Sequence, residues 1–417
     1  MLVSSRRPRL AFVSPVFLFP NDAGGKIRST NILRGLKGGS FEIVLLSPAT
    51  GEQQDRWQAE LKGVCDEFIA WQPTPPRPQW ARALQLLSEL PVNVVADRTA
   101  AGLAAVRALA ARQDIDLIVF DFVHAAVLQP ASARAPAVCF THNVEAEIFA
   151  RHAQQAPNAL RRWLWRSQHR KMLRFEGEAL RRFARVIAVS ERDAQAFRSQ
   201  YGVQQAEAIP TGVDLDFFAW QAPPPVDAAH PPTVVFTGSM DWRANIDGVQ
   251  FFLGEVWPLV LAAMPEARFV VVGKNPPAAL QAAARLSKNV EFTGFVDDVR
   301  PYAHAAHAFV IPLLVGGGTR IKAFEAMAMG CPVVSTTIGM EGLEAEPGRH
   351  FVQCDQAAAM ASALLALLAD GAQRERLSRA ARALVEARFG HRQVAQVFEG
   401  ICQRALAQAA PRATAAA

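Results

Sequence analysis

Ten short apolar runs punctuate this chain, and most are continuous rather than alternating. They occupy residues 9–14, 41–47, 115–120, 137–140, 186–190, 234–237, 268–272, 308–314, 333–336 and 351–354. A strand that is apolar at successive positions is buried on both faces, as in a parallel sheet covered by helices. Longer stretches with helical spacing separate the runs. Alternation of this kind predicts doubly wound α/β sheets. A chain of 417 residues that is 51% hydrophobic can fill two such cores.

Between the fifth and sixth runs lies 221–232, which contains Pro223, Pro224, Pro225, Pro231 and Pro232. It reads as a semi-rigid linker. The expected organisation is a first domain over 1–220, the linker over 221–232 and a second domain over 233–390. A closing helix and a frayed Ala-rich tail would follow over 391–417.

Charge and cysteine usage narrow the setting. The net charge of +6 comes from 44 basic and 38 acidic residues, a mild excess that suits anionic small ligands or a lipid surface better than nucleic acid. The five cysteines (Cys65, Cys139, Cys331, Cys354, Cys402) are scattered and odd in number. They read as reduced, mostly buried thiols of a cytoplasmic protein. No CxxC or His/Cys cluster points to a metal. The N-terminus, with Arg6, Arg7 and Arg9 before an apolar run to Pro20, mimics a signal peptide. Pro15 interrupts that run and a glycine loop follows, so a first buried strand is expected instead. No apolar run reaches the ~18 residues of a membrane span, so a soluble or peripheral protein is expected.

Residues 308–334 carry the strongest chemical signal. A buried strand runs into Gly316, Gly317 and Gly318. A helix is expected to begin at Thr319, an N-cap residue type, and to end at Gly330 before Pro332. Strand, glycine loop and helix start together make an anion site, where bare N–H groups and the helix dipole attract negative charge. Arg320 and Lys322 add two cations in the first turn, where they oppose the dipole. A bound anion accounts for that placement.

The same segment resembles the nucleotide-sugar site of retaining glycosyltransferases of family 4, which have the GT-B fold. Their signature is two glutamates separated by seven residues, then a small-residue helix and Gly-x-Pro-Val-Val. The second glutamate maps onto Glu325, and Ala326 to Val334 fit the tail. The first maps onto Gly317, a departure from the signature. Some bacterial members carry Gly-Gly-Gly-Thr-Arg-Ile-Lys there, as this chain does. The resemblance implies two Rossmann-like domains facing a cleft, with the last helix crossing back to the first domain. It also implies a nucleoside-diphosphate sugar, UDP- or GDP-linked, as co-substrate. Glu325 would bind the ribose hydroxyls. Sugar recognition usually involves the first glutamate, which is missing here. In the family's front-face reaction the leaving phosphate takes the acceptor proton, so no protein base is required. No Asp-x-Asp motif sits in a suitable loop, and metal independence is expected. The acceptor would be a cell-surface glycan or its lipid carrier, with the enzyme cytoplasmic or peripheral on the inner membrane.

Other residues extend this picture. Gly24 and Gly25 lie before a helix start and permit close backbone approach to a phosphate, or form a plain turn. His142 follows run 137–140 and resembles the family histidine that lies against the donor sugar; alternatively Asn143 caps a helix there. Asp121 and His124 end another run and could face the acceptor. After run 234–237 come Gly238 and Arg243. Arg243 resembles the family's pyrophosphate arginine, although the lysine that should follow is missing. Lys274, after the next run, could substitute for it. Phe295, in Gly294-Phe295-Val296, matches a loop that brackets the nucleotide base, or is a core aromatic.

The helical stretch 160–185 places Trp165, Met172 and Ala179 on one stripe and Arg162, Arg166, Arg170 and Arg174 on another. It reads as a core helix with a solvated basic face, or as a weak membrane-surface contact. Rival functions are a nucleotide-sugar epimerase and a non-catalytic scaffold of the same fold. An NAD-dependent dehydrogenase lacks support, because the first strand is not followed by Gly-x-Gly-x-x-Gly.

Overall fold

The structure is a computed structural model. It describes residues 6–75, 85–154, 156, 158–210, 212–287, 289–315, 321–341 and 343–409. The chain divides into two compact units. One runs up to Gly212 and includes helix His391–Ala409, and the other is Val213–Gly390.

The first unit is built on a seven-stranded sheet. Its strands are β1 (Arg9–Val13), β2 (Glu42–Pro48), β3 (Glu67–Trp71), β4 (Leu117–Asp121), β5 (Ala137–Phe140), β6 (Arg185–Ala188) and β7 (Ala206–Ala208). They lie in the order β3-β2-β1-β4-β5-β6-β7, and every pairing is parallel. Residues 9–14 therefore hold a central strand, as the βα pattern required. Side chains leave successive strand positions on opposite faces. Leu10, Phe12, Leu117 and Val119 join one core, and Ala11, Val13, Ile118 and Phe120 join the other. Helix His391–Ala409 closes the first of these cores with Val394, Phe398, Ile401 and Cys402. It packs close to helix Gly24–Leu36, where a Cβ on Gly35 would stand 2.3 Å from that of Ala395.

The second unit holds a six-stranded sheet. Its strands are β8 (Thr233–Thr237), β9 (Arg268–Val272), β10 (Val290–Gly294), β11 (Ala308–Ile311), β12 (Val333–Ser335) and β13 (Val352–Gln353). The order is β10-β9-β8-β11-β12-β13, again all parallel. Val234, Phe236, Phe269 and Val271 line one core, and Val235, Val272, Phe309 and Ile311 line the other.

Several boundaries differ from the sequence reading. β3, β7 and β10 escape it as outer strands of low burial: β3 and β10 are each half-buried at four of five positions. Run 308–314 is a strand only as far as Ile311, since Pro312 has no N–H to give the ladder. The proline-rich run 221–232 packs within the second unit rather than spanning the division at 212/213. Its carbonyls are taken up there: Arg374 donates to Pro224 O (3.3 Å), and His307 Nε2 lies 3.0 Å from Pro225 O.

The helical stretch Arg243–Ala263 is long and apolar enough, by length and composition, to cross a membrane, which corrects the expectation that no stretch is. Its largest apolar side chains are core, although Leu259 is exposed. Val249, Phe252, Val256, Trp257 and Val260 pack beneath the second sheet. All five cysteines are buried and free.

Candidate active site

In doubly wound sheets, ligands bind beyond the carboxyl ends of the strands, where the strand order reverses. The reversals here fall between β1 and β4 and between β8 and β11. Each unit gathers polar side chains at that point.

In the first unit, β4 ends on the fully buried Asp121. Its carboxylate accepts hydrogen bonds from Ser14 Oγ (3.1 Å), Ser29 Oγ (2.9 Å) and His142 Nε2 (2.7 Å). Arg28 Nη1 lies 3.1 Å from His142 Nδ1. A guanidinium can only donate, so Nδ1 accepts and Nε2 carries the hydrogen given to Asp121. The ring is neutral: burial lowers its pKa, and Arg28 adds to the effect against the pull of Asp121. Burial also lowers the Arg28 guanidinium to about 10, opposed by Asp193 and Asp121, which leaves it charged near neutral pH. His142 is thus 4% exposed, with both ring nitrogens engaged. The ring as placed offers a sugar no free hydrogen-bonding atom.

Phe122 organises the surroundings. Its ring stacks on His142 at 4.0 Å and on His124 at 5.0 Å. Its φ of +69° is rare for a bulky residue, a strain of roughly 1–3 kcal/mol that persists only where packing enforces it. Packing does so through Gly25, where a Cβ would stand 2.5 Å from the Phe122 ring. Gly24 and Gly25 begin helix Gly24–Leu36, and the glycine at 25 is demanded by this ring. His124 pairs through Nδ1 with Asp97. Burial lowers the His124 pKa, but Asp97, Glu145 and Asp121 outweigh it and raise the pKa overall. Nearby, the buried Glu176 accepts from the backbone N–H groups of Glu145 (2.8 Å) and Ala146 (3.1 Å) and from Tyr201 Oη (2.8 Å). It thereby anchors the start of helix Glu145–Gln154.

In the second unit, the loops after β8 and β9 touch. A Cβ on Gly273 would lie 1.9 Å from Gly238 O, so only glycine permits this approach. Asp241 ties the two loops together. It accepts from Ser239 Oγ (3.0 Å) and Asn275 Nδ2 (3.0 Å), and Lys274 Nζ stands 3.8 Å away. Lys274 is thus held at the loop tip. Arg243 opens helix Arg243–Phe251, is largely exposed and pairs with Asp247 one turn on (2.8 Å).

Lys322, in the first turn of helix Ile321–Met329, reaches the same place. Its ammonium donates to Asn245 Oδ1 (2.9 Å) and sits 4.2 Å from the centre of the Phe236 ring. A Cβ on Gly238 would be 2.8 Å from Lys322 Nζ. Gly238, Asn245 and Lys322 therefore form one cluster at the end of β8. Glu325, one turn further along the helix, is half-buried and has no hydrogen bond among the described residues. Burial pushes its pKa up to about 7, against the nearby Lys322 charge. The helix ends at Gly330 with φ +87°, as its sequence predicts. Phe295 follows Gly294 (φ +72°) and is 72% exposed, so it is not a core aromatic. Gly316, Gly317, Gly318, Thr319 and Arg320 lie outside the described residues.

Sequence reasoning gave no site role to Asn245, Phe122, Asp97, Glu145 or Glu176. A signal was available for the buried polar face of helix Gly24–Leu36. Its first half carries Arg28, Ser29, Thr30 and Asn31, and its apolar residues begin only at Ile32, apart from Ile27.

Residues 24–217 match the profile of Glycosyltransferase Family 4, and residues 231–370 match that of Glycosyl transferases group 1. Each half of the chain thus matches a glycosyltransferase domain family. A phosphatidyl-myo-inositol mannosyltransferase of Mycobacterium tuberculosis is 31% identical over 208 residues, covering 48% of this chain and 54% of that protein. The chain spans about half the length of the curated relatives it matches first. Among solved structures, sucrose-phosphate synthase of Thermosynechococcus elongatus superposes with a TM-score of 0.69 at 18% identity, over 96% of this chain and all of that one. Anabaena HepE in complex with UDP and glucose superposes with a TM-score of 0.65 at 16% identity, over 94% of this chain and 98% of that one. The fold of the two parallel-sheet units is GT-B.

Proposed function

We propose that this glycosyltransferase moves a sugar from a nucleoside-diphosphate donor to a glycan or lipid-linked acceptor, with retention at the anomeric carbon and without a metal. The observation that carries the donor reading is the cluster of Gly238, Asn245 and Lys322 beside Glu325 at the β8/β11 reversal. A diphosphate supplies the anion for which Lys322 is poised, with Arg243 and Lys274 at the neighbouring loop tips. Ribose hydroxyls supply the donors that the Glu325 carboxylate lacks. The complex of HepE with UDP supports a uridine nucleotide first.

In the reaction, the bond between the anomeric carbon and the donor phosphate oxygen breaks, and its electron pair stays on the phosphate. The acceptor oxygen bonds the same face of that carbon, and its proton passes to the departing phosphate. Lys322 and Arg243 stabilise the charge that develops. The relative whose name specifies a phosphatidyl-linked inositol supports a lipid-linked acceptor. Helix Ala159–Leu180 supports a peripheral, cytoplasmic-face location. Met172 and Ala179 face the core, while Arg162, Arg166 and Arg170 are exposed beside Trp163 and Leu160, at 63% and 74% exposure.

Thermal melts with UDP, GDP, ADP and CMP test the donor reading, because a ligand of the folded state raises apparent stability. A shift with one nucleotide that Glu325→Ala abolishes is the expected result. No shift with any of the four would favour a non-catalytic scaffold. Turnover of the donor without an acceptor to another nucleotide sugar would favour an epimerase.

A further inference from the structure

The two histidines stacked on Phe122 are not equivalent. Both nitrogens of His142 are taken by Asp121 and Arg28. His124 is held only through Nδ1, by Asp97. Asp97 offers no donor when ionised, so Nδ1 carries the hydrogen of that bond. Nε2 of His124 has no partner among the described residues, and the side chain keeps 16% of its surface exposed. A carboxylate that orients an imidazole and leaves the far nitrogen open is an arrangement suited to touching a ligand. The ring plane is fixed as well, since Phe122, itself wedged against Gly25, stacks on it.

Glu145 completes the arrangement. It is nine-tenths buried, and its charge acts on His124. One carboxylate oxygen receives a long contact from Asn143 Nδ2 (3.4 Å). The other has no partner among the described residues. Glu176 pins the backbone from which this carboxylate projects. Both residues lie just beyond the carboxyl ends of β4 and β5, beside the strand reversal.

We propose that His124 and Glu145, oriented by Asp97 and Glu176, form the acceptor subsite and bind adjacent hydroxyls of a neutral polyhydroxylated ring. His124 Nε2 donates to one hydroxyl oxygen, and Glu145 accepts from the next. Charge selects the ligand class. The carboxylates of Asp97, Glu145 and Asp121 all act on the imidazole, against the one buried Arg28 guanidinium, and this excess of negative charge disfavours an anionic headgroup but not hydroxyls. This subsite rests on the transferase reading given above for the first unit. It does not depend on which nucleotide the second unit binds.

The test is saturation-transfer NMR on the full chain with three probes: myo-inositol, methyl α-mannopyranoside and glycerol 3-phosphate. Wild type should show transfer to at least one neutral probe and little to glycerol 3-phosphate. His124→Ala and Glu145→Gln should each reduce the neutral-probe signal at least fivefold. Asp97→Asn, which leaves the ring in place, should reduce it to a lesser extent. Thermal melts exclude variants that do not fold, and the UDP-induced melting shift should survive in all three. Undiminished transfer in folded His124→Ala, a preference for glycerol 3-phosphate, or no transfer to either neutral probe in wild type would overturn the subsite. Absence of a nucleotide shift in wild type would overturn the donor reading instead and leave the polyol result standing.

Discussion

Removing the charge of Glu325 should stabilise the ligand-free protein while destroying nucleotide binding. Burial holds this carboxyl at about 7, against an ordinary value of 4.5, and no hydrogen bond among the described residues offsets the cost. In the unfolded chain the group ionises near its ordinary value. Between 4.5 and about 7 the folded state therefore binds more protons than the unfolded state, and stability falls as pH rises through that window. The penalty is absent below 4.5 and complete above about 7. At about 1.4 kcal/mol per pH unit, the full difference is roughly 3 kcal/mol. Glu325 is half-buried, so solvent screening reduces this to about 1–2 kcal/mol. For a unit of this size that is about 2–8 °C in melting temperature. Glu325→Gln should therefore melt above wild type at pH 8 and equal it near pH 4.5, with no nucleotide-induced shift at either pH. Calorimetry of both proteins at pH 4.5, 6 and 8 measures this. A variant that melts below wild type at pH 8 would show that the carboxylate has a stabilising partner, and the reasoning would fail. The carboxylate would then be structural rather than held ready for a ligand.

Other perturbations follow from single contacts. Gly273→Ala places a Cβ 1.9 Å from Gly238 O and must separate the loops after β8 and β9; donor affinity should drop at least tenfold by calorimetric titration, with a stability loss of ~1–3 kcal/mol. Lys322→Met should lower turnover about 10²-fold, and Asn245→Ala, which frees the ammonium, should lower it less; single-turnover rates distinguish the two. Gly25→Ala pushes on the Phe122 ring and should impair acceptor use more than donor affinity, read as the change in each KM. Arg162→Glu with Arg166→Glu should abolish salt-sensitive binding to vesicles rich in phosphatidylglycerol, measured by co-sedimentation; equal binding by the double variant would remove helix Ala159–Leu180 from the membrane.

β1, β4, β5, β8, β9 and β11 were legible because they are central strands, apolar at successive positions. β3, β7 and β10 were not: each is an edge strand, β7 and β10 interrupt their apolar residues with polar ones, and β3 is fully buried only at Trp71. Gly330 announced its helix end, since a positive φ requires glycine wherever it occurs. The proline-rich run looked like a linker because proline composition reports stiffness, not contacts. His307 and Arg374, which hold it to the second unit, lie about 80 and 150 residues away.

The site divides in the same way. Periodicity, glycine placement and strand-end polarity were enough to identify two parallel sheets and to mark Gly24, Gly25, His142, Gly238 and Lys322, and the family resemblance added Glu325. Those signals are local, set by backbone geometry and by which side chains tolerate burial. Only the tertiary structure decided what each residue does. It closed both nitrogens of His142 and left one nitrogen of His124 open. It set Lys322 against Asn245, 77 residues earlier in the chain, and left Glu325 desolvated with no hydrogen bond among the described residues. The reason is that hydrogen bonds and desolvation act over a few ångströms of space, and the folded topology alone determines which distant residues share that space.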